Sequence, residues 1–280
     1  MKVYEVIEKI KEWHQPYIEQ EKTRDIYLCG DPQTECRGVA VTCACTLEVM
    51  HKAVEKGINL IISHEGITYN YEKKYQRDEF KNETLLEKLN YAKEHDLVVW
   101  RDHDHMHGTF LREENRRLRH DMIFYGTMKE LGWEEYLTGD ELKPLLFKVP
   151  EMSAREFGQQ LIKAWNLNGL RIVGDLDGRV STVYIVEHVI AGKFDDYDLG
   201  KIDMAEDIDA FIPLEIVDYT LTSYVRDAAY LGKNKIIYEM GHFNAEELGM
   251  KYLARVLPEV LGMDVEFIQS GDTFNYLIRE

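Results

Sequence analysis

Proline and cysteine are both scarce, at 6 and 4 of 280 residues, and basic side chains are outnumbered. Few prolines, no low-complexity tract and 45% hydrophobic residues exclude a mostly disordered chain. No apolar run approaches the roughly 20 residues that a helical membrane span needs. Lys and Arg total 34 against 51 Asp and Glu, a formal charge of −17. That balance excludes a general binder of nucleic-acid backbone and leaves open only a local basic pocket. The four cysteines, Cys29, Cys36, Cys43 and Cys45, form one close pair rather than the two pairs usual in a four-cysteine zinc site. They read as reduced, largely buried thiols. The opening residues Met1 to Glu5 run directly into an amphipathic pattern without a signal-peptide core. The expectation is a soluble, cytoplasmic protein with no membrane partner.

What is present is a long alternation of strand and helix patterns. Val3, Val6, Ile7, Ile10 and Trp13 mark one helical stripe. Residues 38–43 read as a strand, Thr46 as the cap of a following helix closed by Gly57, and 58–62 as a second strand. This is the pattern of a parallel βαβ unit. Asn82 opens another helix before the strand 97–100, and a charged helical region is expected over 110–131. Beyond Gly139 come a strand at 144–149, a helix capped by Ser153, and strands at 171–173, 180–186, 210–212 and 235–238. A loop or weak helix is expected over 192–209. The last helix is expected over 244–257, stopping before Pro258, with a final strand near 265–268. The class is α/β, and a chain of this length suits two lobes.

The histidines fall where such folds place ligands. His64 and Glu65 follow the strand ending at Ser63. His103, His105 and His107 follow the strand ending at Trp100, and His242 follows a third. Open parallel sheets bind ligands beyond the carboxyl ends of their strands, so three strand ends are expected to deliver imidazoles to one edge. His242 and Glu246, four apart, share a helical face. If residues 101–107 continued as a strand, the three histidines would point one way and the aspartates the other. A His-x-His pair after a strand also occurs in amidohydrolase barrels, but the strand–helix units here are too few for eight. No helical His-Glu-x-x-His motif is present.

Together these elements resemble the dinuclear-metal, hexameric family named after the yeast NGG-interacting factor three, whose members are called type-two GTP cyclohydrolase I homologues. Ile61-Ile62-Ser63-His64-Glu65-Gly66 is similar to its strand followed by His-His-Pro. His103 and His107 align with its His-x-x-x-Asp element, and Gly241-His242-Phe243-Asn244-Ala245-Glu246 with its Gly-His-aromatic-x-x-Glu element. An imidazole and a carboxylate have exchanged places, since Glu65 stands where the family has histidine and His107 where it has aspartate. Only Glu215 matches the family's Thr-Gly-Glu element.

The resemblance implies two intertwined α/β lobes, the middle one inserted between the N- and C-terminal parts of the other. The expected lobes are 1–132 plus 234–280, which bears the metal, and 133–233. It also implies a homo-oligomer, a hexamer, holding two divalent ions per chain (zinc, iron or manganese). His64, Glu65, His107, His242 and Glu246 would be the ligands, a mixture suited to a metal pair. His103 and His105 are the candidate catalytic groups, His103 as general base because imidazole titrates near neutrality. Tyr69, Lys73, Asp104 and Glu215 are the candidate contacts for a small-molecule substrate. The expected activity is metal-dependent hydrolysis of a nucleotide-like molecule, cyclic amidine, amide or phosphate ester. The alternative is a metal-binding or regulatory protein without turnover.

Overall fold

The computed structural model describes residues 1–15, 17, 23–69, 82–108, 120–188 and 205–277. The chain divides into two compact units, each built from two stretches: Met1–Gly126 with Gly249–Ser270, and Thr127–Leu248 with Gly271–Glu280.

The first unit begins with α1 (Val3–Trp13), whose predicted stripe is buried at Val3, Val6, Ile7 and Ile10 and half-buried at Trp13. It continues through β1 (Tyr27–Cys29), β2 (Val39–Thr42), α2 (Leu47–Glu55), β3 (Leu60–Ser63), α3 (Glu83–Glu94) and β4 (Val98–Arg101). Its sheet runs β1-β4-β3-β2-β10, with β10 at Val265–Phe267. The four strands β4, β3, β2 and β10 are parallel, and β1 pairs antiparallel with β4. β2 and β3 are buried at every residue, as expected of parallel strands covered on both faces. The predicted caps form: Thr46 accepts from the Val49 amide and Asn82 from the Leu85 amide. Ala40, Ile61 and Val99 of the strands pack with Val49, Met50 and Ala53 of α2. All four cysteines are free thiols, with Cys43 and Cys45 buried just past the end of β2.

Several buried positions depart from the apolar rule, an amine among them. Lys88 on α3 is 2% exposed, and its ammonium donates to the Ile67 carbonyl at 3.5 Å and lies 5.2 Å from the centre of the Tyr69 ring. Burial holds its pKa below the ordinary lysine range. Lys88→Met keeps the unbranched shape without the desolvated charge and is expected to stabilise the fold by ~1 kcal/mol at neutral pH. Between the depressed folded pKa and the ordinary one, only the unfolded chain holds the proton, so native stability rises with pH. Denaturant titrations should therefore show the advantage of the variant shrinking as pH approaches the lysine range.

The second unit holds β5 (Leu146–Ser153), α5 (Ala154–Trp165), β6 (Arg171–Gly174), β7 (Arg179–His188), β8 (Ala210–Glu215), α6 (Leu221–Tyr230) and β9 (Ile236–Glu239). Its sheet runs β5-β7-β8-β9-β6. β7, β8 and β9 are parallel, while β5 and β6 close the two edges antiparallel. Ser153 caps α5 as expected, accepting from the Glu156 amide. Two helices run across the division of the chain, α4 (Met122–Leu131) and α7 (His242–Leu261).

Three readings change. β9 was expected to share a sheet edge with β3 and β4, but it pairs with β8 and β6, so residues 234–248 fall with the second unit. The last helix does not stop before Pro258 but runs to Leu261. The buried stripe Leu253, Leu257 and Leu261 holds the helix through the proline. Residues 102–107 do not extend β4. They form a turn in which the His107 amide donates to the His103 carbonyl at 3.1 Å. The expected loop over 192–209 and the helical region over 110–131 lie partly outside the described residues.

Candidate metal centre

In the first unit, the carboxyl ends of the adjacent strands β3 and β4 lie side by side, with Ser63 in register with Arg101. The chain leaving β3 carries His64, and the turn leaving β4 carries His103 and His107. Because 103–107 is a turn of helical spacing, residues four apart share a face and His105 points elsewhere. The rings of His64 and His103 stack with centroids 4.5 Å apart. His107 meets them edge-on, 4.9 Å from His64 and 4.8 Å from His103. One ring nitrogen from each lies within 4.8 Å of the others, and His64 is fully buried.

The tautomers follow from what stands behind each ring. His64 Nδ1 donates to the Asp102 carbonyl at 3.0 Å, since a carbonyl can only accept. His107 Nδ1 donates to the Asp121 carboxylate at 3.2 Å. In the neutral rings both Nε2 atoms are then acceptors, and they face each other at 3.2 Å. Two lone pairs so placed repel unless a proton or a cation lies between them. His103 donates from Nδ1 to Asp104 at 3.0 Å, and its Nε2 lies 3.4 Å from Arg24 Nη1. Burial, with the neighbouring His64, His107 and Arg101 adding to it, pushes its pKa well below the ordinary histidine range. His103 is therefore neutral near pH 7, the state a metal ligand or a general base requires. The donor set fits a divalent cation of the zinc, iron or manganese type.

A second tier of carboxylates fixes the turn. Asp25, just before β1, accepts the backbone amides of His103, Asp104 and His105 at 2.7, 2.8 and 3.0 Å, and the His105 ring nitrogen as well. Burial alone would raise its pKa, but the His105 hydrogen bond and the backbone amides outweigh it and hold the carboxyl below its ordinary range. His105 also stacks on Tyr17 at 3.6 Å. His14 Nε2 pairs with Asp102 Oδ2 at 2.7 Å, both side chains fully buried. Asp121 accepts from the Phe124 amide at 3.4 Å through its other oxygen, so one carboxylate serves both α4 and His107.

The second unit carries its own imidazole–carboxylate group. Gly241 turns into α7 with φ +92°, and a Cβ there would meet Thr273 Oγ1 at 2.8 Å, so only glycine fits. His242 Nδ1 donates to Glu215 Oε2 at 2.7 Å, and Nε2 lies 3.3 Å from Glu246 Oε2. Both ring nitrogens face carboxylates, which suits an imidazolium or a nitrogen sharing a cation with Glu246.

The remaining expected residues are placed as follows. Glu65 accepts from Arg101 Nη2 at 2.8 Å. Asp104 accepts from the Arg24 amide at 2.7 Å and holds the turn. Glu215, expected to meet substrate, holds His242. Tyr69 is 64% exposed at φ 61°. Lys73 lies outside the described residues. Sequence reasoning missed Arg24, Asp25 and Asp121. For Asp121 a signal existed, an aspartate directly before a helix, which is a capping position.

If Asp121 sets the His107 tautomer, Asp121→Asn should weaken metal binding about 10- to 100-fold while the apo fold persists. Chelator competition measures it; unchanged affinity would show that the tautomer does not depend on Asp121.

Imidazoles delivered from the carboxyl ends of parallel strands, each oriented by a carbonyl or carboxylate behind it, define an α/β protein with a site suited to a divalent cation. Comparison with known proteins shows what the chain is similar to. Residues 1–103 match the family described as Duf34/NIF3 (NGG1p interacting factor 3). A Staphylococcus aureus (strain COL) protein named GTP cyclohydrolase 1 type 2 homolog is 40% identical over 57 residues, which are 20% of this chain and 16% of that protein. Among solved structures, a Staphylococcus aureus hypothetical protein covers 99% of both chains at TM-score 0.68 and 16% identity. A Bacillus cereus protein related to NIF3 does so at TM-score 0.66 and 13% identity. The resemblance read from the sequence is borne out: the N-terminal region matches this family, and the whole chain carries the fold of these proteins. Among the described residues no helix is long and apolar enough to cross a membrane.

Proposed function

We propose that this chain is a metal-dependent hydrolase of a small, nucleotide-like molecule, cyclic amidine, amide or phosphate ester. The observation that carries the reading is the pair of Nε2 acceptors of His64 and His107, facing each other at 3.2 Å beside His103. The proposed ligands are those the resemblance implies, His64, Glu65, His107, His242 and Glu246, for two divalent ions in a hexameric assembly. When bound, such ions lower the pKa of a coordinated water and polarise the bond under attack. The chain's own part is positional. The Asp102 carbonyl and Asp121 keep the Nε2 lone pairs of His64 and His107 turned inward. Asp25 holds the turn that carries His103 and His107. His103, neutral near pH 7, accepts a proton at a ring nitrogen.

The test is a panel of cyclic amidines, amides, phosphate esters and nucleoside triphosphates, run with protein loaded with zinc, iron or manganese and with chelated protein. The reading expects turnover in at least one loaded form, abolished by chelation and by His103→Ala. Metal uptake without turnover on any member would instead favour a metal-binding or regulatory role.

A further inference from the structure

Two guanidinium groups flank the three imidazoles of the first unit, and they are used differently. Arg101 is committed: Nε donates to the His64 carbonyl at 2.9 Å and Nη2 to Glu65 at 2.8 Å, with its side chain 15% exposed. Arg24 is not. Its Nη1 reaches His103 Nε2 at 3.4 Å, its Nε stands 3.9 Å from Asp104 Oδ1, and its side chain is 40% exposed. A guanidinium carries five N–H donors in a fixed fork. Among the described residues, one hydrogen bond near the limit of the range and one loose ion pair occupy it.

The backbone beneath that loose head is firmly held. The Arg24 amide donates to Asp104 at 2.7 Å, and the neighbouring Asp25 receives the amides of the histidine turn. A fixed stem, an under-used fork and partial exposure describe a group kept for a ligand rather than for the fold. Electrostatics says which ligand. A cation held by His64 and His107 would lie beside His103 and the Arg24 guanidinium that reaches it, and two positive charges that close favour an anion shared between them. A chain of net charge −17 repels anions at long range, so anion capture requires local cations.

We propose that Arg24 is the anion-recognition residue of this site, and that the substrate carries a phosphate or carboxylate group which the guanidinium grips in bidentate fashion. The assignment rests on the metal reading of the same site and adds the chemical class of the substrate.

The experiment is titration calorimetry of the full, zinc-loaded chain with inorganic phosphate and, separately, acetate. Wild type, Arg24→Lys and Arg24→Ala are compared, with zinc content measured in each beforehand. The expected result is anion binding by wild type, weakened at least about tenfold in Arg24→Ala and less in Arg24→Lys, with zinc content equal in all three. Preference for one anion identifies the group on the substrate. Equal affinity in wild type and Arg24→Ala, or no binding of either anion by zinc-loaded wild type, overturns the proposal and leaves the metal reading standing. Loss of zinc in both variants makes Arg24 structural and also overturns it. Wild type that takes up no zinc overturns the metal reading, and this one with it.

Discussion

His64→Ala is expected to lower metal affinity at least about 100-fold, whereas His105→Ala changes it far less. The two residues look alike in the sequence, both imidazoles just past a strand end. The structure separates them. The His64 ring contacts His103 at 4.5 Å and His107 at 4.9 Å, so its loss removes a ligand atom and the centre of the cluster. His105 faces the other way, bonded to Asp25 and stacked on Tyr17. Chelator competition on both variants, with circular dichroism to check folding, measures the contrast. Equal losses of affinity would mean that the turn does not sort its histidines as described.

The second large effect falls on stability. Asp25→Ala leaves His105 without its buried carboxylate partner and three backbone amides without their acceptor. Breaking a buried pair of this kind costs roughly 3–5 kcal/mol, and the amides add to it. Urea denaturation of the apo protein is the measurement, and a loss under ~1 kcal/mol would contradict the network. The acid limb gives an independent check. The Asp25 pKa is lower in the folded chain, so its contribution is complete above the ordinary carboxylate value and is lost as pH falls through the lower folded one. Asp25→Ala should flatten that part of the stability curve.

Much of the fold could be read from local chemistry. Thr46, Asn82 and Ser153 each precede an apolar helical stripe, and each caps the helix it was expected to cap. The apolar runs of β2 and β3, separated by one helix, gave a parallel pair, as the βαβ pattern requires. Partner choice between sheets was not readable in this way. β9 reads as an apolar strand before a histidine, like β3 and β4, and nothing local says that it pairs with β8. The turn after β4, for which a continued strand is only one possibility in the sequence, is left undecided by local pattern for a related reason. His-x-His-x-His has the period of a strand, but Asp25, 80 residues from His105, draws the amides of 103–105 to one carboxylate and bends the chain away from the sheet. Arg24 was hidden likewise, since its importance comes from contact with His103, 79 residues away. Local pattern located the imidazoles, and long-range hydrogen bonds decided which of them converge.

The central claim is that this imidazole cluster holds divalent metal. Elemental analysis of protein purified without a histidine tag, beside His107→Ala, tests it most directly. The account predicts about two divalent ions per chain, clearly fewer in the variant, with the fold unchanged. Wild-type protein that carries no metal and takes up none on titration would contradict it.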